Sequence, residues 1–431
     1  MESLWDKTAK MPRFDPLTGD IQTDVLVIGG GITGLLCGHF LQKAGVSCAV
    51  IDAGRICQGI THNTTAKITV QHGLIYHKLI CKYGTDIARL YFQAQDQALS
   101  IYRQLASKID CDFEEKDAFV YSLNSQIEIE QEANALRRIG SPAIFAENIN
   151  LPFRIQSAVR VPKQAQFHPL KFLNAISKDL QIFENTRALK VRPGEVITNR
   201  GKIRAEKIIV ATHFPFLNKH GAYFLKLYQH RSYVLALKNA PDVKGMYVDA
   251  SLKGLSFRTS GDLLLLGGGS HRTGKNGGNW RELTEFSRKF YPGAEEVGRW
   301  ATQDCMSLDG IPYIGQYASG TPNLYVATGF NKWGMTNAMV AARILKDLVL
   351  EKDNKFAKVF TPNRHIFHPQ LGINLLETTL GLITPTTPRC PHLGCALTYN
   401  KFEHSWDCPC HGSRFTEKGK VIDNPANGDK K

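Results

Sequence analysis

The chain has 431 residues, 43% hydrophobic and 21% charged, which excludes a disordered or collagen-like chain and provides a large core without disulfide staples. That length suits about three domains, or one large and one small. Its 53 Lys and Arg exceed its 39 Asp and Glu by 14. Such a surface attracts anions, among them phosphate cofactors and carboxylates. No segment concentrates the cations as a groove reader would, so no nucleic-acid partner is expected.

The opening MESLWDKTAKMPRFDPL has no apolar stretch of the signal-peptide kind. The longest apolar run, 25–41, is broken by glycines and carries Thr33 and His39. It reads as strand, turn and helix rather than a membrane span. A cytoplasmic protein with no transmembrane segment is the expectation.

Asp24 to Ile28 has strand length, and Gly29, Gly31 and Gly34 follow as G-x-G-x-x-G. Helical spacing runs from Ile32 to Ala44, and Gly45 ends it. A second strand covers 47–51, and Asp52 stands 18 positions after Gly34. In such a unit the first glycine permits the turn, the second admits a pyrophosphate and the third lets helix and strand pack. The phosphates then meet the amides of the helix start, here Ile32 and Thr33, while the acid accepts from a ribose. Gly29, Gly31, Ile32, Thr33, Gly34, Asp52 and the following Ala53 are therefore the expected dinucleotide contacts. NAD and FAD both use this fingerprint.

Helical patterns follow at 86–106, 127–138, 169–180 and 336–350, and strand patterns at 207–211, 233–237, 263–266 and 323–327. The fold class expected is α/β: a Rossmann-like βαβ domain with an α+β substrate-domain insertion, plus a small all-β C-terminal module. From about Glu351 the chain turns polar and is interrupted by Pro362 and Pro369. Domains are expected at 1–351 and 371–431, with a linker at 352–370.

Ten cysteines are unevenly spread: six scatter through the first 305 residues and four crowd into 390–410. That crowd contains Cys390-x-His392 and Cys408-x-x-His411, with 15 residues between His392 and Cys408. Two Cys/His pairs on two loops suit a Rieske 2Fe-2S cluster, with thiolates on one iron and imidazoles on the other. Zinc is the rival, although zinc fingers normally run Cys, Cys, His, His.

Over roughly 20–350 the chain resembles the D-amino-acid oxidase/glycine oxidase family of FAD-dependent oxidoreductases. The resemblance rests on GITHNTTAKIT (59–69), KIIVATHFPF (207–216), DGIPYIG (309–315) and NLYVATGFNKWGMTNAMVAARIL (323–345), in the family's order. It implies FAD, with Thr64, Thr65 and Ala66 beside the ring. It also implies that Gly329, Gly334, Met335 and Thr336 lead into a helix aimed at the ring's N1/O2 edge.

The C-terminal stretch resembles Rieske proteins of the bc-complex kind. That resemblance implies a Cys395–Cys410 disulfide, a hydrogen bond from Ser413 to a cluster sulfur and a proline loop at 424–426. Phe415 stands where high-potential members have a tyrosine, which implies a lower potential. The stretch 371–389 is short for the β base of such modules.

In the flavoprotein family a C–H bond beside an amine gives hydride to the flavin, and an arginine often holds a substrate carboxylate. Arg231 and the pair His271–Arg272 are the candidates here, with Lys67 as a cation near the ring. His62, His72 and His213 are expected as packed histidines, and Trp333 as pocket wall or core. The fusion implies electron flow from an amine or amino-acid substrate to FAD, to the Rieske centre and to an external carrier, with the reverse direction open. The alternatives are an oxygen-using oxidase whose Rieske module senses redox state or docks, and a non-catalytic scaffold.

Overall fold

The computed structural model describes residues 2–277, 279–385 and 388–430. Its first sheet has the strand order Tyr313–Gln316, Leu324–Thr328, Lys202–Val210, Ile21–Ile28, Cys48–Ile51, Gln181–Phe183. Ile21–Ile28 runs parallel to both of its neighbours. Val25, Leu26, Val27 and Ile28 are all buried, as a strand covered on both faces requires. Helix Ile32–Lys43 makes the crossover and packs on helix Gly334–Val349. The glycine motif therefore lies at the carboxyl end of the central strand.

The insertion is a nine-stranded sheet. Along one edge Leu227–Lys238 pairs antiparallel with Glu295–Ser307 and with Leu263–Arg272. Side chains alternate across a strand, and directly opposed residues share a face. Tyr228, Ser232, Thr302, Asp304 and Met306 thus lie on one face of the first pair. Gln229, Arg231, Tyr233, Gln303 and Cys305 lie on the other.

The stretch 352–370, expected as a linker, is packed. Phe356, Val359 and Phe360 are buried around the short helix Ala357–Phe360. Arg364 forms a buried pair with Asp309, Nε to Oδ2 at 2.8 Å. Where the chain is short for a β base it forms a helix, Pro369–Ile383, with Pro369 at its first turn and the His368 side chain accepting from the Gln370 amide. Four short strands complete the module: Thr398–Asn400, Ser405–Asp407, Arg414–Thr416 and Val421–Asp423.

This module sits on the outer face of the Leu227–Lys238 strand. Gln229 donates to the carbonyls of His411 (2.8 Å) and Asn424 (2.9 Å), and Gln303 donates to that of Gly412 (2.9 Å). A Cβ on Gly412 would stand 2.6 Å from Cβ of Gln229, so only glycine allows this approach. Arg272 donates to the carbonyls of Pro409 and Cys410, both at 3.1 Å.

The centre of the junction is Glu403, whose side chain is 6% exposed. It accepts from both Arg231 and Arg414, and from the Tyr233 hydroxyl at 3.1 Å. Burial raises the Glu403 carboxyl, but Arg231 and Arg414 outweigh it and leave the pKa below the usual range. Arg231→Ala leaves this carboxylate buried with one cation fewer, a loss of about 3–5 kcal/mol for a broken buried pair. The expected outcome is a C-terminal module released to limited proteolysis while the flavin domain stays folded. In the unaltered chain the Glu403 contribution is complete above the usual glutamate pKa and disappears as pH falls through the lower folded value. Proteolysis followed across acid pH checks both points.

Candidate functional site

A cavity of about 900 Å³ lies between the two sheets. One end is built by the glycine motif. Gly29 has φ +113°, and a Cβ there would stand 2.6 Å from the Ala211 carbonyl oxygen. A Cβ on Gly34 would stand 1.8 Å from the Gly29 carbonyl oxygen, so only glycine lets helix and turn meet. No side chain caps helix Ile32–Lys43 at Gly31. Thr61 Oγ1 accepts from the Ile32 amide at 3.1 Å, and Thr33 behind it lines the cavity. The Ile32 amide, expected to meet phosphate, is therefore taken by Thr61, while the next amides of the helix start have no side-chain acceptor, which suits a pyrophosphate.

Asp52 accepts from the amides of Gly30 and Gly54, both at 2.8 Å, and burial raises its pKa. Its orientation is thereby fixed toward the cavity it lines. Ala53, Thr64, Thr65, Gly329, Gly334 and Met335 line the same cavity. Gly34, Ala66 and Thr336 do not. Gly34 packs helix on turn, Ala66 is buried, and Thr336 is buried with its hydroxyl on the Thr69 carbonyl. Helix Gly334–Val349 also opens on the cavity without a side-chain cap. Two helix starts thus face one chamber, where a dinucleotide's phosphates and an electron-rich ring edge would be favoured. Arg55 and Arg187 also line it, and nothing in their local sequence marks them.

The opposite end holds the other candidates. Lys67 lines the cavity and donates to Thr65 Oγ1 at 3.2 Å; burial and the neighbouring Arg258 push its pKa down to about 7. His72 is committed: Nδ1 meets the Tyr91 hydroxyl at 2.7 Å, Nε2 meets the Thr69 carbonyl at 2.9 Å, and the ring stacks on Trp333. Burial lowers its pKa to about 3. His213 lines the cavity and burial lowers it to about 4. His62 lies outside the cavity, 3.7 Å from Asp6.

The expected carboxylate binders are placed elsewhere. Arg231 points away from the cavity to Glu403. His271 stacks on Tyr233 at 5.8 Å, with its Nδ1 3.2 Å from the Gly269 carbonyl. Arg272 lies over Tyr228 and holds the C-terminal module. Strand parity decides this, because Arg231 stands one position from the cavity-facing Ser232.

What faces the cavity instead is Asp304, directly across from His230 in the register. Its carboxylate has no hydrogen bond or ion pair among the described residues. Burial raises its pKa to about 6, with Lys332 and Arg231 opposing. Lys332 also lines the cavity and donates to Ser270 Oγ at 2.6 Å. It follows Asn331 in a left-handed turn (φ +53° and +71°), and Asn331 Nδ2 donates to the Gly329 carbonyl at 2.6 Å. No sequence pattern marks Asp304, and the 323–345 segment that contains Lys332 does not single it out.

The second group of side chains surrounds the Cys/His loops. The rings of His392 and His411 meet edge to face at 4.9 Å, and both lie 6.4 Å from Phe214. His392 Nε2 donates to Asn218 Oδ1 at 2.8 Å, which leaves Nδ1 unprotonated, buried and without a partner. Both ring nitrogens of His411 are likewise buried and unpartnered. Cys390 and Cys408 are buried within mutual influence, each shifting the other's thiol. Unpaired imidazole nitrogens beside buried thiols fit an iron–sulfur cluster.

The expected Cys395–Cys410 disulfide is not formed; every cysteine is free. Cys395, Cys408 and Cys410 gather with their sulfurs within 4.8 Å of one another, a thiol cluster rather than a bonded pair. Ser413 Oγ accepts from the Ala426 amide at 3.0 Å and neighbours Cys390.

The loop after strand Lys202–Val210 joins the two regions. Thr212 and His213 line the cavity, Phe214 touches both histidine rings, and Asn218 holds His392. From the module's side, Asn424 donates to the Thr212 and Phe214 carbonyls, and Asn424, Ala426 and Asn427 line the cavity.

Residues 24–348 match the family model of FAD dependent oxidoreductases (DAO), and residues 358–430 match that of the Rieske [2Fe-2S] domain. A Bacillus subtilis (strain 168) protein described as "Putative Rieske 2Fe-2S iron-sulfur protein YhfW" is 33% identical over 489 residues, covering 99% of this chain and 96% of that one. The gamma-glutamylputrescine oxidoreductase of Escherichia coli (strain K12) is 23% identical over 381 residues, covering 80% of this chain and 88% of that one. Among solved structures, glycine oxidase from Geobacillus kaustophilus has a TM-score of 0.67 at 20% identity, over 80% of this chain and all of that one. L-amino acid deaminase from Proteus vulgaris has a TM-score of 0.66 at 14% identity, over 83% of this chain and all of that one. The cofactors are therefore FAD and a 2Fe-2S cluster.

Gly34→Ala tests the dinucleotide end. The added methyl collides with the Gly29 carbonyl, so the expected product lacks the visible absorption of bound flavin. Adding FAD does not restore it. Iron content in the same sample reports whether the C-terminal module survives.

Proposed function

Because this chain belongs to the family of FAD dependent oxidoreductases and carries a Rieske [2Fe-2S] domain, we propose that it oxidises an amine or amino acid and passes the electrons from flavin through the Rieske centre to an external acceptor. We place the reaction in the cytoplasm and take 1–351 and 371–431 as the two working units. The observation that carries the reading is the loop 212–218. It contributes Thr212 and His213 to the cavity and Phe214 and Asn218 to the histidines of the Cys/His site. When bound, FAD accepts a hydride from the substrate and the 2Fe-2S cluster carries one electron at a time.

The chain's own residues fall into three groups. Gly29, Gly31, Thr33 and Asp52 would hold the dinucleotide, with Arg55 and Arg187 supplying positive charge near it. Cys390, His392, Cys408 and His411 would ligate the cluster, with Asn218 fixing the His392 tautomer. Asp304 and Lys332 would bind the substrate. An ionised Asp304 attracts an ammonium group, and Lys332, already steered by Ser270, attracts a carboxylate. Both charges lie in a wall shielded from bulk water, where such attractions are strongest. The amine substrate named for the gamma-glutamylputrescine relative supports a site built around an anion.

His411→Ala provides the direct test. Substrate added without oxygen should still bleach the flavin, while reduction of an artificial one-electron acceptor falls at least tenfold and the cluster's EPR signal is absent. Unchanged acceptor reduction would leave the module as a sensor or docking element. Asp304 supplies an independent test. It is charged above about pH 6, so kcat/KM for an amine substrate should rise as pH increases through that value. Asp304→Asn should lose that rise and about 10²-fold in kcat/KM, in line with a lost charged contact of about 1.5–3 kcal/mol.

A further inference from the structure

Helix Pro369–Ile383 is amphipathic in the inverted sense. Its inward face is polar: Asn374 is 1% exposed, donates to the Leu225 carbonyl at 3.1 Å and accepts from Arg272 at 3.0 Å. Glu377 on the same side pairs with Lys275 at 2.6 Å. Gly381 completes that face against the cysteines; a Cβ there would stand 2.4 Å from Cys410 Sγ. The outward face is apolar. Ile373, Leu376, Leu380 and Ile383 recur at helical spacing and are 44–69% exposed, with Leu375 and Leu382 beside them. Phe367, just before the helix, is 85% exposed. A contiguous apolar stripe of this kind on one helix is costly in water unless something covers it.

We propose that this face docks on an anionic lipid surface, with the helix lying in the plane of the interface. The helix has 15 residues, and no helix among the described residues is long and apolar enough to cross a membrane. It therefore lies on a bilayer, its leucines reaching the headgroup–acyl boundary and Phe367 at the interface. The charge of the rim selects the occupant. Arg389 holds the carbonyls at the helix C-terminal end, and Lys275 neutralises Glu377, the helix's one acidic residue. A two-fold contact between copies sets the same cations against each other, whereas anionic headgroups pair with them. Because Gly381 packs inward against Cys410, docking sets the Cys/His loops one helix thickness, ~10 Å, from the lipid surface. The inference does not depend on which substrate is oxidised.

The test uses the full-length holoprotein with sonicated vesicles of phosphatidylcholine alone or mixed with phosphatidylglycerol. The expected result is cosedimentation with the mixed vesicles, reduced at high salt. The double variant Leu376→Glu, Leu380→Glu should lower that binding at least tenfold, with flavin content and substrate-driven bleaching unchanged. Both positions are exposed, so the substitutions leave the core intact. Failure of the unaltered protein to bind the mixed vesicles overturns the proposal, as does equal binding by the variant. A concentration-dependent dimer in analytical ultracentrifugation that the double variant abolishes also overturns it, because a second copy is then the cover.

Discussion

The architecture depends on the two-residue period of a single strand pair. Leu227–Lys238 and Glu295–Ser307 send alternate side chains to opposite sides, so the pair is a wall with two functional faces. Tyr228, Ser232 and Asp304 face the cofactor cavity. Gln229, Arg231 and Gln303 face the Rieske module one residue away. Separation by one β layer keeps the substrate chamber and the Cys/His loops chemically distinct while holding them close. A slip of one residue between the two strands would turn one of them over, setting Arg231 and Asp304 on the same face.

The module is short because its neighbour does part of its work. The stretch 371–389, short for a β base, is mostly helix, and the loops that carry Cys408 and His411 rest on Gln229, Gln303 and Arg272 of the larger sheet. The buried Glu403 with its two arginines has little net stabilising value as an isolated pair. Its geometry does fix orientation. A carboxylate accepting from Arg231, Arg414 and Tyr233 tolerates one docking angle, and the glycine at 412 admits the approach. The precision of that docking sets the position of Phe214 against His392 and His411.

What could be read from the sequence was local. G-x-G-x-x-G and the Cys-x-His and Cys-x-x-His pairs lie within a few residues and carry their chemistry in their spacing. The parity of a strand relative to a cavity is not local. Arg231 and Ser232 are neighbours in sequence, and only the pairing with Thr302 and Gln303 decides which one the cavity receives. Asp304 belongs to no motif, and the 323–345 segment that contains Lys332 does not single it out; a strand register and a left-handed turn bring the two into one cavity lining. Helix Pro369–Ile383 was hidden for a different reason. Its apolar positions have helical spacing, but the polar side is the packed one, so the pattern does not point to a core.

The distribution of charge connects these features. Residues 370–431 hold 7 Lys and Arg against 6 Asp and Glu, so the larger unit carries nearly all of the +14. A dinucleotide pyrophosphate, a carboxylate-bearing substrate and an anionic headgroup layer all match that excess. Inside the cavity the sign is not uniform. Arg55, which pairs with Glu184, and Arg187 line it together with Asp52, and Asp304 and Lys332 add one charge of each sign. On the proposed reading, Arg187 and Arg55 favour the dinucleotide's anionic groups while Asp304 and Lys332 favour a substrate bearing both signs, so each ligand is drawn to the lining that matches its own charge pattern.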